Sequence, residues 1–312
     1  MRGRFAPSPT GKLHLGNARS ALLGWLQARA AGGELLLRIE DLDRARCRPE
    51  HEENLLRDLE YLGLTWDGPP VRQSERGPAY QAALDRLDAS GRLYPCFCSR
   101  AEIARAASAP HGASDDGPRY PGTCARLSPE ERELRARDRR PALRLRPEPG
   151  AVTRFTDLVA GPQAQDVDAV VGDFVVRRND GVASYQLAVV VDDAAAGVSH
   201  VLRGDDLLSS TPRQLQLMDA LGLPRPRHAH VPLLLGADGK RLAKREGALA
   251  VTDLRAMGVP AARVVGLLAE WSGLGSGAPV AAAELIRGFS LEQIARQPRT
   301  VDEPTIRARL GL

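Results

Sequence analysis

The sequence has no apolar run approaching the roughly 20 residues that a membrane-spanning helix requires, so it predicts no spanning segment and no membrane partner. Its opening, MRGRFAPSPTG, carries arginines but no apolar block behind them. That argues against a secretory signal and leads to the expectation of a cytoplasmic protein. Cysteine is scarce: Cys47, Cys96, Cys98 and Cys124 are too few to staple a chain of 312 residues, which excludes a disulfide-built scaffold. Aromatic residues are few as well, at 4%, a shortage that by itself points to no class of function. A dominant charge is also missing. The formal net charge is +4, with a pI near 9.1, a balance that permits nucleic-acid binding without demanding it.

What is present fits a soluble globular protein, with 43% hydrophobic and 26% charged residues. The length allows two or three sub-domains. Short apolar runs alternate with helical patterns from the start. Strands are predicted at Arg2–Phe5 and Glu34–Ile39, and helices at Asn17–Ala31 and Pro49–Leu62. This β-α-β-α order predicts an α/β fold of the doubly wound, Rossmann-like class, with a parallel sheet under helices.

The pattern breaks between Tyr94 and about Pro149, where clustered cysteines, the turn-rich run SAPHGASDDGPRYPG and the stretch Arg126 to Arg146 read as an inserted module. On charge alone that arginine-rich stretch, interrupted by acidic residues, reads as a solvated helix. Strands are expected again at Asp173–Arg177, Gln186–Val191, His200–Arg203 and His230–Leu235, and a helix at Thr211–Leu221. Beyond Thr252 the expectation is helical, near Thr252–Met257, Ala261–Trp271 and Ser290–Gln297. The resulting division is a first α/β part at 1–93, an insertion at 94–172 and a second α/β part at 173–238. A mobile loop and a small helical region complete it at 239–312.

The most specific string is Phe5-Ala6-Pro7-Ser8-Pro9-Thr10-Gly11-Lys12-Leu13-His14-Leu15-Gly16-Asn17, between the first strand and the first helix. A glycine-bearing turn lets backbone approach a ligand, and the free N–H groups of the following helix favour phosphate oxygens. His14 and Asn17 can donate to a phosphate chain, while Gly16 leaves room for adenine or ribose. Each half alone reads as an ordinary turn. A second string, Gly239-Lys240-Arg241-Leu242-Ala243-Lys244-Arg245-Glu246-Gly247-Ala248, offers a lysine that can neutralise charge on departing pyrophosphate. Alone it reads as an exposed basic turn.

Together the two strings resemble the two signatures of class I aminoacyl-tRNA synthetases in the glutamyl and glutaminyl branch. The segments Arg38-Ile39-Glu40-Asp41-Leu42-Asp43, Ser184-Tyr185-Gln186 and Leu202-Arg203-Gly204-Asp205-Asp206-Leu207-Leu208, followed by Ser210-Thr211-Pro212-Arg213-Gln214, resemble the glutamyl branch too. The resemblance spans roughly Arg2 to Gly247. It implies that His14, Asn17 and Lys244 act on ATP with Gly16 beside them, and that Arg4, Phe5, Ala6, Pro7, Ser8, Glu40, Tyr185 and Arg203 hold L-glutamate. Two arginines suit a dicarboxylate, and Glu40 suits its ammonium. Mg²⁺ is expected with ATP. One departure is Ala243, where the signature often has Ser; another is the loose tail Gly273–Ala283.

In the insertion, Cys96-Phe97-Cys98 and Cys124 suit a tetrahedral zinc ion with one place open. Generic chemistry nominates His111 for that place. The resemblance instead implies a Cys-x-Cys and Tyr-x-x-x-Cys arrangement in which Tyr120 is the fourth ligand, with one structural Zn²⁺. Reduced, partly buried thiols are the plainer alternative, and Cys47 reads as an isolated thiol.

Only about sixty residues follow Thr252, too few for a large anticodon-binding domain. That length resembles the short paralogues that activate glutamate without tRNA and attach it to the queuosine base of tRNA-Asp; a monomer is expected. The alternatives are a truncated glutamyl-tRNA synthetase charging the 3′ terminus, and a non-catalytic zinc module that binds tRNA.

Overall fold

The computed structural model describes residues 1–106, 119–240, 242 and 249–312. In chain order, β1 (Arg2–Phe5) leads into α1 (Leu15–Ala30), followed by β2 (Glu34–Ile39), α2 (Pro49–Tyr61), β3 (Val71–Arg72) and α3 (Gly77–Ala89). The interrupting region holds β4 (Leu93–Cys96), α4 (Arg100–Ala106), α5 (Pro129–Asp138), β5 (Ala142–Leu145), β6 (Val152–Asp157), β7 (Gly161–Asp166), α6 (Val167–Val170) and β8 (Phe174–Arg177). Then come α7 (Tyr185–Ala195), β9 (His200–Gly204), α8 (Thr211–Ala220), β10 (Arg227–Val231) and β11 (Leu234–Leu235). The chain ends with α9 (Val251–Ala256), α10 (Ala261–Trp271), β12 (Arg299–Thr300) and α11 (Glu303–Leu310).

β1 pairs in parallel with β2, Arg4 opposite Leu36, and β2 pairs in parallel with β3. On its other side β1 runs beside β9, where Ser199 N donates to Arg2 O over 2.9 Å, and β9 pairs in parallel with β10. The chain therefore leaves β1 toward β2 and returns on the opposite flank as β9. A crevice forms where the order reverses, at the carboxyl ends of those two strands.

Helix α1 buries leucines on more than one side because it lies between layers. Leu22 and Leu26 join the large core shared with β2, α2 and α10, whereas Leu23 faces a second core with Leu202 and Val231. Its position fixes its amino end at the crevice. Helix α2 starts on Pro49 with Glu50 and Glu52 in its first turn, the placement that suits the positive end of a helix.

Three sequence expectations change. Gln186–Val191 is the middle of helix α7, not a strand: Ser184 Oγ accepts from Leu187 N at 3.3 Å and starts the helix. An apolar run rich in valine carries no period that separates a buried helix from a buried strand. Ser290–Gln297 forms only a 3₁₀ turn at Leu291–Gln293. The strand expected over His230–Leu235 divides into β10, which begins earlier, and β11. The arginine-rich stretch contains α5, which buries none of its residues and is closed by a Ser128–Glu131 capping box, then passes into β5. β5 pairs antiparallel with both β4 and β8, so β8 lies outside the parallel sheet.

Candidate active site

A cleft of about 610 Å³ opens at the carboxyl ends of β1 and β9. It is lined by Arg4, Phe5, Ala6, Pro7, Ser8, His14, Gly16, Asn17, Glu40, Tyr185 and Arg203, so the residues expected to hold ATP and glutamate that lie among the described ones gather in one place. His14 occupies the N-cap position of α1. Gly16 and Asn17 follow in the first turn, where backbone N–H groups lack helical partners. A Cβ added at Gly16 would meet no protein atom within 4 Å and would project into open space.

Lys244 lies outside the described residues, as do Ala243 and Gly247. Both flanks of that segment are at the cleft rim. Leu242 lines the cleft and its N donates to Leu234 O at 2.9 Å. Ala250 bridges antiparallel to His14, and Val251 N donates to Leu13 O at 2.9 Å.

The floor of the cleft is a buried ionic cluster. Arg4 Nε donates to both oxygens of Asp193 at 3.3 and 3.4 Å, and its Nη1 to Leu202 O at 3.4 Å. Arg38 also donates to Asp193, and reaches Glu40 Oε1 at 3.1 Å. Burial alone would raise the Asp193 carboxyl, but Arg38 and Arg4 outweigh it and hold it below its usual value. At Glu40 burial wins over the same two arginines and pushes the carboxyl up. An ammonium arriving beside Glu40 would favour the charged form again.

Arg203 is the most constrained of the guanidiniums. Nη1 donates to Tyr185 Oη at 3.3 Å, while Nη2 reaches Thr211 Oγ1 at 2.9 Å, Gln214 Oε1 at 2.8 Å and Leu207 O at 3.3 Å. Its Nε donates to His230 Nε2 at 3.0 Å, and His230 Nδ1 lies 2.6 Å from Asp157 Oδ2. Burial pushes Tyr185 up and Arg203 down, with the two acting on each other against it.

Asp193, Arg38, Asp157 and His230 were not nominated from sequence. The available signals were an Asp192-Asp193 pair inside an apolar run, an arginine inside the apolar strand β2, and alternating histidines in His228-Ala229-His230.

Away from the cleft, the sulfur atoms of Cys96, Cys98 and Cys124 lie within 4.8 Å of one another and can hold a metal ion. Cys98 Sγ is 3.5 Å from Cys124 Sγ, and Tyr120 Oη is 3.3 Å from Cys96 Sγ and 3.6 Å from Cys98 Sγ. Zinc–sulfur bonds of about 2.3 Å in a tetrahedron separate sulfurs by nearly this amount, so the donor set fits such an ion. Tyr120 is held there by its bridge to Gly172, whose φ of +70° and 2.5 Å approach of an added Cβ to Tyr120 O admit only glycine. His111 lies outside the described residues. Cys47 stands apart from the trio, lining a separate surface depression.

No described helix is long and apolar enough to cross a membrane. The profile for tRNA synthetases class I (E and Q), catalytic domain, matches residues 1–307. A glutamyl-Q tRNA(Asp) synthetase from Symbiobacterium thermophilum is 56% identical over 319 aligned positions, covering 99% of this chain and 98% of that protein. One from Nitratidesulfovibrio vulgaris is 52% identical over 283, covering 88% and 87%. The crystal structure of a glutamate-tRNA synthetase from Elizabethkingia anophelis superposes with a TM-score of 0.83 at 25% identity, covering 99% of this chain and 69% of that one. The chain therefore belongs to the class I tRNA synthetases of the E and Q branch, in the group of the glutamyl-Q tRNA(Asp) synthetases, and is a ligase of that class.

Proposed function

We propose that this chain activates L-glutamate with ATP and transfers the glutamyl group to the queuosine base of tRNA-Asp. The observation that carries the reading is the meeting of Arg4, Glu40, Tyr185 and Arg203 in one cleft with the amino end of α1. Near-full-length identity to proteins named for that reaction supports the acceptor.

In this reading Arg203 and Arg4 face the carboxylates of glutamate, Tyr185 orients the side chain, Glu40 receives the ammonium, and the backbone from Phe5 to Ser8 closes one wall. ATP lies along the amino end of α1, with the adenosine moiety against Gly16 and phosphate oxygens at His14 and Asn17. A glutamate carboxylate oxygen attacks the α-phosphorus, forming the acyl phosphate bond as the bond to the bridging oxygen breaks, and pyrophosphate leaves with that electron pair. Lys244 neutralises the leaving charge. Mg²⁺, when bound with ATP, supplies further phosphate neutralisation. A nucleophile of the acceptor then attacks the glutamyl carbonyl and AMP departs. Cys96, Cys98, Tyr120 and Cys124 hold one structural Zn²⁺, which organises the insertion near the acceptor.

Glutamate-dependent exchange between pyrophosphate and ATP without tRNA tests the first half. Incorporation of labelled glutamate into queuosine-containing but not unmodified tRNA-Asp tests the second. Equal labelling of both, or labelling confined to the 3′ terminus, would replace this reading with ordinary tRNA charging.

A further inference from the structure

Arg203 cannot set its own orientation, because a guanidinium only donates. Its Nε–H is directed at His230 Nε2, 3.0 Å away, so that nitrogen must carry a lone pair, and the ring proton resides on Nδ1. Nδ1 faces Asp157 Oδ2 at 2.6 Å. Asp157 is itself fixed, since its Oδ1 accepts from Val159 N at 2.9 Å, Ala160 N at 2.8 Å and His230 N at 3.0 Å. His230 and Asp157 are fully buried side chains on different segments, β10 and the end of β6, and neither lines the cleft.

We propose that Asp157 and His230 are positioning residues for the substrate carboxylate: Asp157 selects the Nδ1–H tautomer of His230, and the Nε2 lone pair holds Arg203 with its Nη1 edge beside Tyr185 and the cleft. The proposal rests on the reading that Arg203 grips glutamate. It gives the hairpin of β6 and β7, otherwise remote from the amino acid, a direct structural hold on the arginine that reads it.

Asp157→Asn separates this role from mere packing. The amide oxygen can keep accepting from Val159 and Ala160, but the amide nitrogen can only donate to His230 Nδ1. The ring proton then moves to Nε2, where it opposes the Arg203 N–H. In pyrophosphate exchange without tRNA, the variant is expected to raise KM for glutamate about tenfold or more while KM for ATP stays within about twofold. The double variant Asp157→Asn/His230→Glu places a carboxylate between the two donors, one oxygen able to accept from the introduced amide and the other from Arg203, and is expected to recover part of the loss. Nitrogen-15 spectra should find His230 protonated at Nδ1 in the unaltered protein and at Nε2 in Asp157→Asn.

A ring protonated at Nε2 in the unaltered protein overturns the proposal, and that measurement stands even if the variant does not fold. An unchanged glutamate KM in Asp157→Asn, equal rises in both KM values, or no recovery in the double variant overturns it as well. Absence of any glutamate-dependent exchange in the unaltered protein instead sinks the assignment of glutamate, while the spectra still decide the tautomer.

Discussion

Asp193, on α7, accepts from Arg38, on β2, in an ion pair whose side chains are 2% and 5% exposed. The same carboxylate takes Arg4 from β1, so one buried anion joins the two central strands to the helix behind them. Removing it would leave two guanidiniums facing each other away from water. Asp193→Ala is expected to cost about 3 kcal/mol or more of unfolding free energy, because a buried charge left without its partner keeps its full desolvation cost. Urea denaturation measures this; a loss below about 1 kcal/mol would mean that the arginines find other counter-charges.

Gly16 permits the opposite kind of test, a change the protein tolerates and the ligand does not. An added methyl group there meets no protein atom within 4 Å, and alanine favours helical backbone over glycine by up to about 1 kcal/mol. Gly16→Ala should therefore melt at the same or a higher temperature and still raise KM for ATP about tenfold, since the methyl stands where the nucleotide is expected. Lys244→Ala should instead lower the exchange rate about a hundredfold with little change in KM for glutamate. An alanine at position 16 that leaves the nucleotide KM untouched moves ATP away from the start of α1.

These contrasts also mark what the sequence makes legible. His14, Gly16 and Asn17 fall within one turn at the start of α1, so their pattern is contiguous and readable. Arg4, Glu40 and Arg203 are readable through the segments around them, and the structure gathers them around one cleft. Asp157 and His230 meet across 73 positions of sequence, and nothing local distinguishes such a pair from core polar residues. Asp193 was hidden for a related reason: its run reads equally as strand or helix, and only the helix directs the carboxylate at both arginines.

The buried histidines contribute to the loss of stability in acid. Burial pushes His228 to about 3, with Arg203 and His230 adding to the effect, and burial likewise lowers His230 against the opposing pull of Asp157. Both native values lie below the ordinary 6.5, so the unfolded chain binds more protons and stability falls on acidification below that pH. The slope is at most about 1.4 kcal/mol per pH unit for each histidine. Asp157 adds to the loss at lower pH: burial would raise it, but bonds from His230 and Ala160 hold it at about 2. Glu40, raised by burial, works in the opposite direction. His228 stacks on His230 and meets Phe155 edge-on, so His228→Phe keeps the ring packing and removes one proton site. The variant should flatten the fall in unfolding free energy between pH 7 and pH 5; an unaltered slope would place the proton uptake elsewhere.

The cysteine cluster yields a prediction that separates its two candidate fourth ligands. The insertion's own apolar cluster is small, built around Tyr94, Cys96, Phe97, Tyr120 and Cys124, and the three sulfurs sit inside it rather than around an independent core. A bound ion there replaces core packing as the force that closes the module. Elemental analysis of the purified protein should find about one zinc per chain, and prolonged chelation or Cys98→Ser should lower the melting temperature. The same treatment should leave KM for ATP near its starting value, since none of these groups lines the cleft. Tyr120 Oη already lies beside two of the sulfurs and accepts from Cys124 N at 3.0 Å. Tyr120→Phe should therefore lose zinc to a chelator faster than the unaltered protein, and His111→Ala should not. The reverse ranking would give the fourth position to the histidine, and retention of zinc by both variants would give it to water.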